Sequence, residues 1–243
     1  MTPGLIIAAP ASGTGKTTVM LGLLAALRAR GLVVQPFKNG PDYIDPAFHR
    51  AATGRWSFNL DSWAMPGAML DGMLTAAEGA DLILAEGSMG LFDGVAAAGA
   101  VGNGASADLA QRMGWPVVLV IDASGQAQTA AAVAQGLARF RPGVRVAGVI
   151  LNRIASPRHE ALVRAGMAEA GLAVFGVLPK RAAIAMPERH LGLVQAEEQP
   201  ALQALIAEAA QLMRDGVDLE ALLAAAATSA SRAPSARITP PGQ

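Results

Sequence analysis

The chain has 243 residues, of which 52% are hydrophobic, so it can bury the core of one large α/β domain or of two small ones. Its 19 Lys and Arg residues balance 19 Asp and Glu residues, and it has no basic stripe, so we expect no nucleic-acid partner. No apolar run approaches the roughly 20 residues of a membrane helix, so we also expect no membrane partner and a cytoplasmic location.

Short aliphatic runs alternate with longer helical stretches, which is typical of βαβ units in a mainly parallel sheet. We expect strands at 5–9, 33–37, 82–86, 116–122, 146–152 and 173–179. We expect helices at about 16–30, 66–79, 105–114, 125–139, 157–170 and 200–214. Ligands of such sheets bind at the carboxyl ends of the strands, so the polar residues there should line one cleft.

The composition changes after about residue 215. An Ala-rich helical stretch there is followed by a tail rich in Ser, Arg and Pro. Such a tail is typical of a disordered segment or a linker. We therefore divide the chain into a domain at 1–215 and a helical extension with a disordered linker tail at 216–243.

The first strand-to-helix junction reads "PASGTGKTT" at 10–18. This pattern predicts a P-loop, in which backbone amides surround phosphate oxygens at a helix N-terminus. Lys16 would reach the β- and γ-phosphates, the Thr17 hydroxyl would bind Mg²⁺, and the Thr18 hydroxyl would face the α-phosphate. The alternative is an ordinary Gly-rich turn. The expected nucleotide-binding residues of the loop are Gly13, Thr14, Gly15, Lys16, Thr17 and Thr18.

A second motif, "FKNGPDYIDPAFH" at 37–49, follows the second strand. It places Lys38 at the strand end and the carboxylates of Asp42 and Asp45 on a turn between two prolines. We favour a functional role for Asp42, whereas Asp45 could be only the N-cap of a helix that starts near the second proline. For His49 a packed or surface position is favoured over a ligand role.

A third motif, "LILAEGSMGLFDG" at 82–94, contains a strand that ends on an acidic residue. In a P-loop protein this is the place of a carboxylate that positions Mg²⁺, so Glu86 is the candidate. A flexible glycine-rich loop then carries Asp93, for which an Asp-Gly turn is the structural alternative.

Three later segments carry weaker signals. Asn152 ends the strand in "GVILNR" and could either read a base edge or cap a loop. Ser124 lies in another strand-to-helix turn, where a structural role is favoured. Glu188, Arg189 and His190 form a group in "PERHLGLV", which we interpret as a charged, solvated loop.

Taken together and in order, these motifs resemble the ATP-binding domain of the cobyrinic and hydrogenobyrinic acid a,c-diamide synthases of cobalamin biosynthesis. The resemblance also includes "NLDSWAM" and "IDASGQAQTAAA" and extends to about residue 215. It implies an α/β fold that is P-loop NTPase-like and dethiobiotin synthetase-like, with a mainly parallel sheet and helices on both faces. Ala11 stands where the partitioning and septum-site ATPases carry a signature lysine, which argues against those relatives.

The resemblance implies an ATP-dependent carbon–nitrogen ligase. In the family, ATP and Mg²⁺ activate the a and c side-chain carboxylates of a corrinoid as acyl phosphates, which ammonia converts to amides. The implied catalytic residues are Lys38, Asp42 and Asp93. The implied Mg²⁺ ligands are Thr17, Asp42 and Glu86. The implied substrate contacts are Tyr43, Ile44 and Asp45. Asn152 resembles the adenine-reading asparagine of the dethiobiotin synthetases.

One departure from the family concerns the ammonia supply. Full-length members continue into a glutaminase domain with a cysteine nucleophile, and this chain contains no cysteine. We therefore expect ammonia to come from a glutaminase domain or subunit outside this chain.

Several alternatives stay open at this point. The tetrapyrrole could be cobyrinic acid, hydrogenobyrinic acid or a relative with another metal, and a homodimer is an open possibility. A dethiobiotin synthetase-type enzyme and a binding protein switched by nucleotide are the alternative functions.

Overall fold

Seven parallel strands form one sheet in the computed structural model, which describes residues 2–180 and 200–230. The strands are β1 (Gly4–Ala8), β2 (Val34–Asn39), β3 (Phe58–Leu60), β4 (Leu82–Glu86), β5 (Val117–Asp122), β6 (Val146–Ile154) and β7 (Val174–Pro179). The helices are α1 (Lys16–Ala29), α2 (Asp45–Thr53), α3 (Gly67–Met73), α4 (Ser106–Met113), α5 (Thr129–Phe140), α6 (Pro157–Glu169), α7 (Pro200–Gly216) and α8 (Leu219–Ala230). The order in the sheet is β3-β2-β4-β1-β5-β6-β7.

The sheet is covered on both faces, and each face has its own core. In β1, Leu5 and Ile7 pack with residues of α1, α2, α7 and α8. The alternate residues Ile6 and Ala8 pack with residues of α3, α4, α5 and α6. Successive side chains of a strand point to opposite faces, so a central strand buried on both sides is apolar throughout. The predicted fold class is thus confirmed.

The junction between β1 and α1 has the geometry of a P-loop. Gly15 precedes the first residue of α1 with φ of 91°, a backbone conformation that favours glycine. A side chain at Gly15 would also meet the Asn152 amide, because a Cβ there would lie 2.4 Å from its Nδ2. Farther along α1, Gly22 lets the helix approach α7 closely, since a Cβ would lie 2.6 Å from the Ala209 carbonyl oxygen.

The predicted elements differ from the structure in three places. β3 was not expected, because it has three residues and its first is exposed, so it carries no clear alternation. The helix expected at 66–79 is α3 followed by a 3-10 helix at Leu74–Ala77, in a segment weakened by Gly72. The helix expected from 125 begins at 129, because the preceding residues form a turn closed by the Gln126 amide and the Ala123 carbonyl.

The helix beyond residue 215 packs onto the domain. Leu222 of α8 is fully buried in the core that includes α1 and α7. Near the end of α8, the Ser229 hydroxyl accepts a hydrogen bond of 2.8 Å from the Gly4 amide of β1. The boundary at 215 stays a prediction, and the tail at 231–243 lies outside the described residues. No helix in the described part of the chain combines the length and apolar character of a membrane span.

Candidate functional site

The carboxyl ends of β1, β2 and β4 bring three of the sequence motifs together. Lys38 and Glu86 are register partners on the neighbouring strands β2 and β4. The P-loop follows β1. This strand pairs with β4 on the side of β4 that faces away from β2. Because all three strands are parallel, their polar C-terminal residues share one edge of the sheet.

Glu86 is the centre of this cluster and is fully buried. Its Oε1 accepts a hydrogen bond of 2.6 Å from the Thr17 hydroxyl and lies 3.6 Å from Lys16 Nζ and 3.8 Å from Lys38 Nζ. Burial alone would raise the pKa of Glu86, but the Lys38 charge, the hydrogen bond with His49 and the Lys16 charge hold it well below its usual range. Glu86 is therefore ionised at neutral pH.

The two lysines respond differently to the same carboxylate. Burial lowers the pKa of Lys16 more than the attraction of Glu86 raises it. For Lys38, burial also acts to lower the pKa, but Glu86 and Asp45 together raise it above the ordinary value. Lys38 Nζ lies 2.7 Å from Asp45 Oδ2 and 3.3 Å from the Gly87 carbonyl oxygen. Lys38 is thus a firmly held cation between two acidic groups.

Asp45 lies in this ion pair, and its own pKa is raised by burial and by repulsion from Glu86. An ion pair would ordinarily move its two pKa values in opposite directions, whereas the pKa values of both Lys38 and Asp45 rise. Burial is the main cause of the raised pKa of Asp45, and the charge of Glu86 adds to it while also raising the pKa of Lys38. Asp45 is therefore the partner that takes up a proton more easily than an ordinary aspartate does.

Asp42 holds the turn that leads into α2, whose N-cap residue is Ile44. The Asp42 Oδ1 accepts hydrogen bonds from the backbone amides of Ile44 at 2.8 Å and of Asp45 at 3.1 Å. This corrects the interpretation of Asp45 as only the N-cap, since its carboxylate contacts Lys38 instead. The second oxygen of Asp42 lies 4.0 Å from Lys38 Nζ. Asp42 therefore combines a structural contact with a place beside the charged cluster.

His49 is packed, which is one of the two positions that the sequence favoured, but it also belongs to the site. Its side chain is fully buried, with Nε2 at 2.9 Å from Glu86 Oε2 and Nδ1 at 3.0 Å from Ser57 Oγ. Sequence reasoning missed this contact. The available signal was its spacing of four residues from Asp45, which places both side chains on one face of a helix.

The loops around the cluster are more exposed. Tyr43 is 76% exposed, whereas Ile44 is half-buried against the core. Asp93 is also exposed, and its Oδ2 accepts a hydrogen bond of 2.8 Å from the Gly90 amide. Met89 precedes that glycine with φ of 48°, an unusual backbone conformation for a residue with a side chain.

A second group of contacts supports the P-loop from β5 and β6. Asn152 Nδ2 donates a hydrogen bond of 2.8 Å to the Thr14 carbonyl. Arg153, with φ of 61°, donates from Nη2 to the Gly13 carbonyl at 3.0 Å and pairs through Nη1 with Asp122. Burial would raise the pKa of Asp122, but the Ser124 amide and hydroxyl and Arg153 lower it. Sequence reasoning missed Arg153, whose role depends on the approach of β6 to the P-loop.

The donor set beside the P-loop suits magnesium. Thr17 and Glu86 supply hydroxyl and carboxylate oxygens, the hard ligands that Mg²⁺ prefers. No group of three His, Cys, Asp or Glu side chains suited to a metal occurs within 2–180 and 200–230. Mg²⁺ at phosphate sites usually takes one or two protein ligands and completes its shell with phosphate oxygens and water. The oxygen donors therefore fit a nucleotide-bound Mg²⁺. The group at 188–190 lies outside the described residues.

Comparison with known families and proteins is consistent with this site. The family model described as the CobQ/CobB/MinD/ParA nucleotide binding domain matches residues 5–194. A hydrogenobyrinate a,c-diamide synthase of Rhodobacter capsulatus is 58% identical over 98% of this chain and 55% of its own length. A second enzyme of that name, from Rhizobium meliloti, is 54% identical over 92% of this chain and 51% of its own length. The chain thus spans about half the length of these relatives.

Among solved structures, the MinC:MinD cell division protein complex of Aquifex aeolicus has a chain with the same fold. Its TM-score is 0.52 at 16% sequence identity, over 88% of this chain and 96% of that one. At this identity the similarity supports the fold alone.

Proposed function

The chain belongs to the CobQ/CobB/MinD/ParA nucleotide binding domain family, and on that premise we propose that it is the ATP-using part of a hydrogenobyrinate a,c-diamide synthase. The observation that carries this proposal is the buried cluster in which Lys16, Lys38 and Glu86 meet beside the P-loop. Two cations and a carboxylate at a phosphate-binding loop suit transfer of a phosphoryl group. The relatives at 54–58% identity indicate the substrate class, a corrinoid carboxylate.

The proposed chemistry starts from a weak electrophile. Ammonia cannot displace oxide from a carboxylate, so the carboxylate is first converted into a better acyl donor. A carboxylate oxygen attacks the γ-phosphorus of ATP, an oxygen–phosphorus bond forms, and the bond between that phosphorus and the β,γ-bridging oxygen breaks to release ADP. The product is an acyl phosphate. This step depends mainly on in-line positioning and on neutralisation of charge.

The residues of the cluster have separate parts in this step. Lys16 is the proposed contact for the β- and γ-phosphates, and Lys38 is the proposed second cation for the γ-phosphate. Asp42 and the exposed Tyr43 lie on the loop that follows Lys38, where an incoming substrate carboxylate would be oriented. Asn152, which contacts the P-loop backbone, is the proposed adenine contact. Thr17 and Glu86 are the proposed holders of Mg²⁺, which supplies charge neutralisation at the phosphates when it is bound.

The second step is amide formation. Ammonia attacks the acyl carbon, a carbon–nitrogen bond forms, and the carbon–oxygen bond to phosphate breaks to release inorganic phosphate. Asp93 is the proposed residue for this step or for orienting the second carboxylate. The ammonia would come from a glutaminase domain or subunit outside this chain, since the chain has no cysteine nucleophile.

The proposal is tested by incubating the 243-residue chain with ATP, Mg²⁺, ammonium and hydrogenobyrinic acid. We expect mass spectrometry to show products in which one and then two carboxyl groups have become amides, with one ADP released per amide. Cobyrinic acid and nickel-sirohydrochlorin in parallel reactions define the tetrapyrrole. Glutamine in place of ammonium should give no product.

Other results would contradict the proposal. Amidation with glutamine alone would contradict the assignment of the ammonia supply. ATP hydrolysis that rises with a protein partner and not with any carboxylate would indicate a nucleotide switch. Closure of a ureido ring without any binding of corrinoid would indicate a dethiobiotin synthetase.

A further inference from the structure

Helix α2 holds two side chains against two neighbouring strands. Asp45 and His49 are four residues apart, so they project from the same face of the helix. Asp45 binds Lys38 of β2 at 2.7 Å, and His49 binds Glu86 of β4 at 2.9 Å. Lys38 and Glu86 are themselves register partners. One helical turn therefore contacts both members of the central charged pair.

The bonds of His49 determine how its ring is oriented. An ionised Glu86 can only accept hydrogen bonds, so Nε2 of the ring is the donor in this pair. In the neutral ring, Nδ1 then accepts a hydrogen bond from the Ser57 hydroxyl. Both ring nitrogens are thus used in a fully buried position. This arrangement leaves the ring one orientation in which both of its hydrogen bonds are made.

The fixed ring in turn orients Glu86. The carboxylate has two oxygens, and His49 engages Oε2. Oε1 is left facing Thr17 and the two lysines, where the phosphates and Mg²⁺ of the proposed function would lie. The two oxygens are chemically equivalent, so a half-turn restores the same contacts, but any partial rotation of the carboxylate would break the bond to His49. Groups that orient a metal-binding carboxylate in this way contribute strongly to metal affinity.

We propose that His49 is a positioning residue that holds Glu86 in the orientation required for Mg²⁺-dependent binding of the nucleotide. This inference rests on the proposed function insofar as it assumes an ATP site. Packing alone does not require a histidine here, because Phe48 and Ala52 of the same helix already bury apolar side chains in the core. The specific feature is the hydrogen bond from Nε2.

The test compares two amide substitutions of similar polarity. In His49→Gln, the side-chain amide nitrogen can take the place of Nε2 and bond to Glu86. In His49→Asn, the shorter side chain reaches only the place of Nδ1, so the bond to Glu86 is lost. Isothermal titration with a non-hydrolysable ATP analogue, with and without Mg²⁺, measures how much Mg²⁺ strengthens binding. We expect His49→Asn to reduce this enhancement about tenfold and His49→Gln to retain most of it. Affinity without Mg²⁺ should be unchanged in both variants.

The control is Phe48→Leu, which loosens the packing of α2 without removing a contact to Glu86. It should lower the melting temperature and leave the Mg²⁺ enhancement intact. The inference is overturned if His49→Asn keeps the full enhancement, or if Phe48→Leu loses as much of it. If His49→Asn does not fold, Ser57→Ala takes its place, with an expected loss of about threefold because the ring is no longer held at Nδ1; an unchanged enhancement there overturns the inference too. Failure of the unsubstituted chain to bind the nucleotide would instead contradict the proposed function.

Discussion

The two halves of the candidate site hold the P-loop by different physical means. The phosphate side, at the ends of β1, β2 and β4, is a buried cluster of charges centred on Glu86. The β5–β6 side, at Asp122, Asn152 and Arg153, uses hydrogen bonds to backbone carbonyls and an ion pair whose arginine side chain is 41% exposed. The phosphate side is buried and charged, whereas the β5–β6 side is polar and partly exposed to solvent.

This difference determines how much each contact contributes. A buried charge that loses its partner cannot recover the interaction from water, so breaking a buried pair is strongly destabilising. A partly exposed ion pair is screened by solvent and typically contributes little. We therefore expect substitutions on the phosphate side to have large effects on turnover and stability. Loss of the partly exposed ion pair between Arg153 and Asp122 on the β5–β6 side should have a small effect on nucleotide affinity.

The largest effect is expected for Lys16→Ala. Loss of the cation that we propose contacts the β- and γ-phosphates should reduce ATP turnover by about a thousandfold, as for other groups that stabilise a transition state electrostatically. Steady-state assays of ADP release measure this. Lys180→Ala removes an exposed lysine beyond β7 and is the control. Turnover within tenfold of the unsubstituted chain would remove Lys16 from the mechanism.

Glu86→Gln should destabilise the fold by about 3 kcal/mol at pH 7, the low end for a broken buried pair, because Lys38 retains Asp45. The folded state holds the pKa of Glu86 below its unfolded value of about 4.3. Its contribution is therefore present above that pH and is lost as the pH falls below it. Urea unfolding at pH values between 7 and 3 measures the free energy of unfolding of both proteins. The difference between the unsubstituted chain and Glu86→Gln should become smaller as the pH falls. A difference that is constant with pH would contradict the role of ionised Glu86.

Asp42→Asn should separate binding from chemistry. The asparagine Oδ1 can accept the same two backbone amide bonds, so α2 and nucleotide affinity should be preserved. Amidation should fall about a hundredfold, because the side chain proposed to orient the substrate no longer has its carboxylate and loss of positioning has effects of this size. Asp81→Asn is the matched control, since Asp81 also accepts a backbone amide bond, from Val33, the residue before β2. Full amidation by Asp42→Asn would show that the substrate pocket lies elsewhere.

The smallest effect is expected on the β5–β6 side, for Arg153→Asn. Asparagine tolerates the positive φ of this position, so the substitution removes the guanidinium with little added strain. Nucleotide affinity should fall about three- to tenfold, the value of a partly exposed hydrogen bond. Arg164→Asn, in an exposed helical ion pair with Glu160, should leave affinity unchanged. A loss above a hundredfold at Arg153 would remove the contrast between the two halves.

The sequence predicted most of the fold, because apolar runs and Gly-rich junctions are local signals. The six expected strands and the P-loop junction are present, with strand boundaries displaced by no more than two residues. The unexpected strand, β3, is short, and it depends on pairing with β2 rather than on its own residues. The sequence also predicted that Lys38 and Glu86 each lie at a strand end, whereas their adjacency comes from the pairing of β2 with β4.

What the sequence by itself determined is therefore the order of strands and helices, the P-loop, and the acidic and basic residues at the strand ends. The tertiary structure alone decided which of these residues interact. It placed His49 against Glu86, used Asp42 to hold the turn before α2, and brought Arg153 to the P-loop. The physical reason is that hydrogen bonding and desolvation of buried charges depend on distances between segments far apart in the chain, and sequence spacing carries no direct measure of those distances.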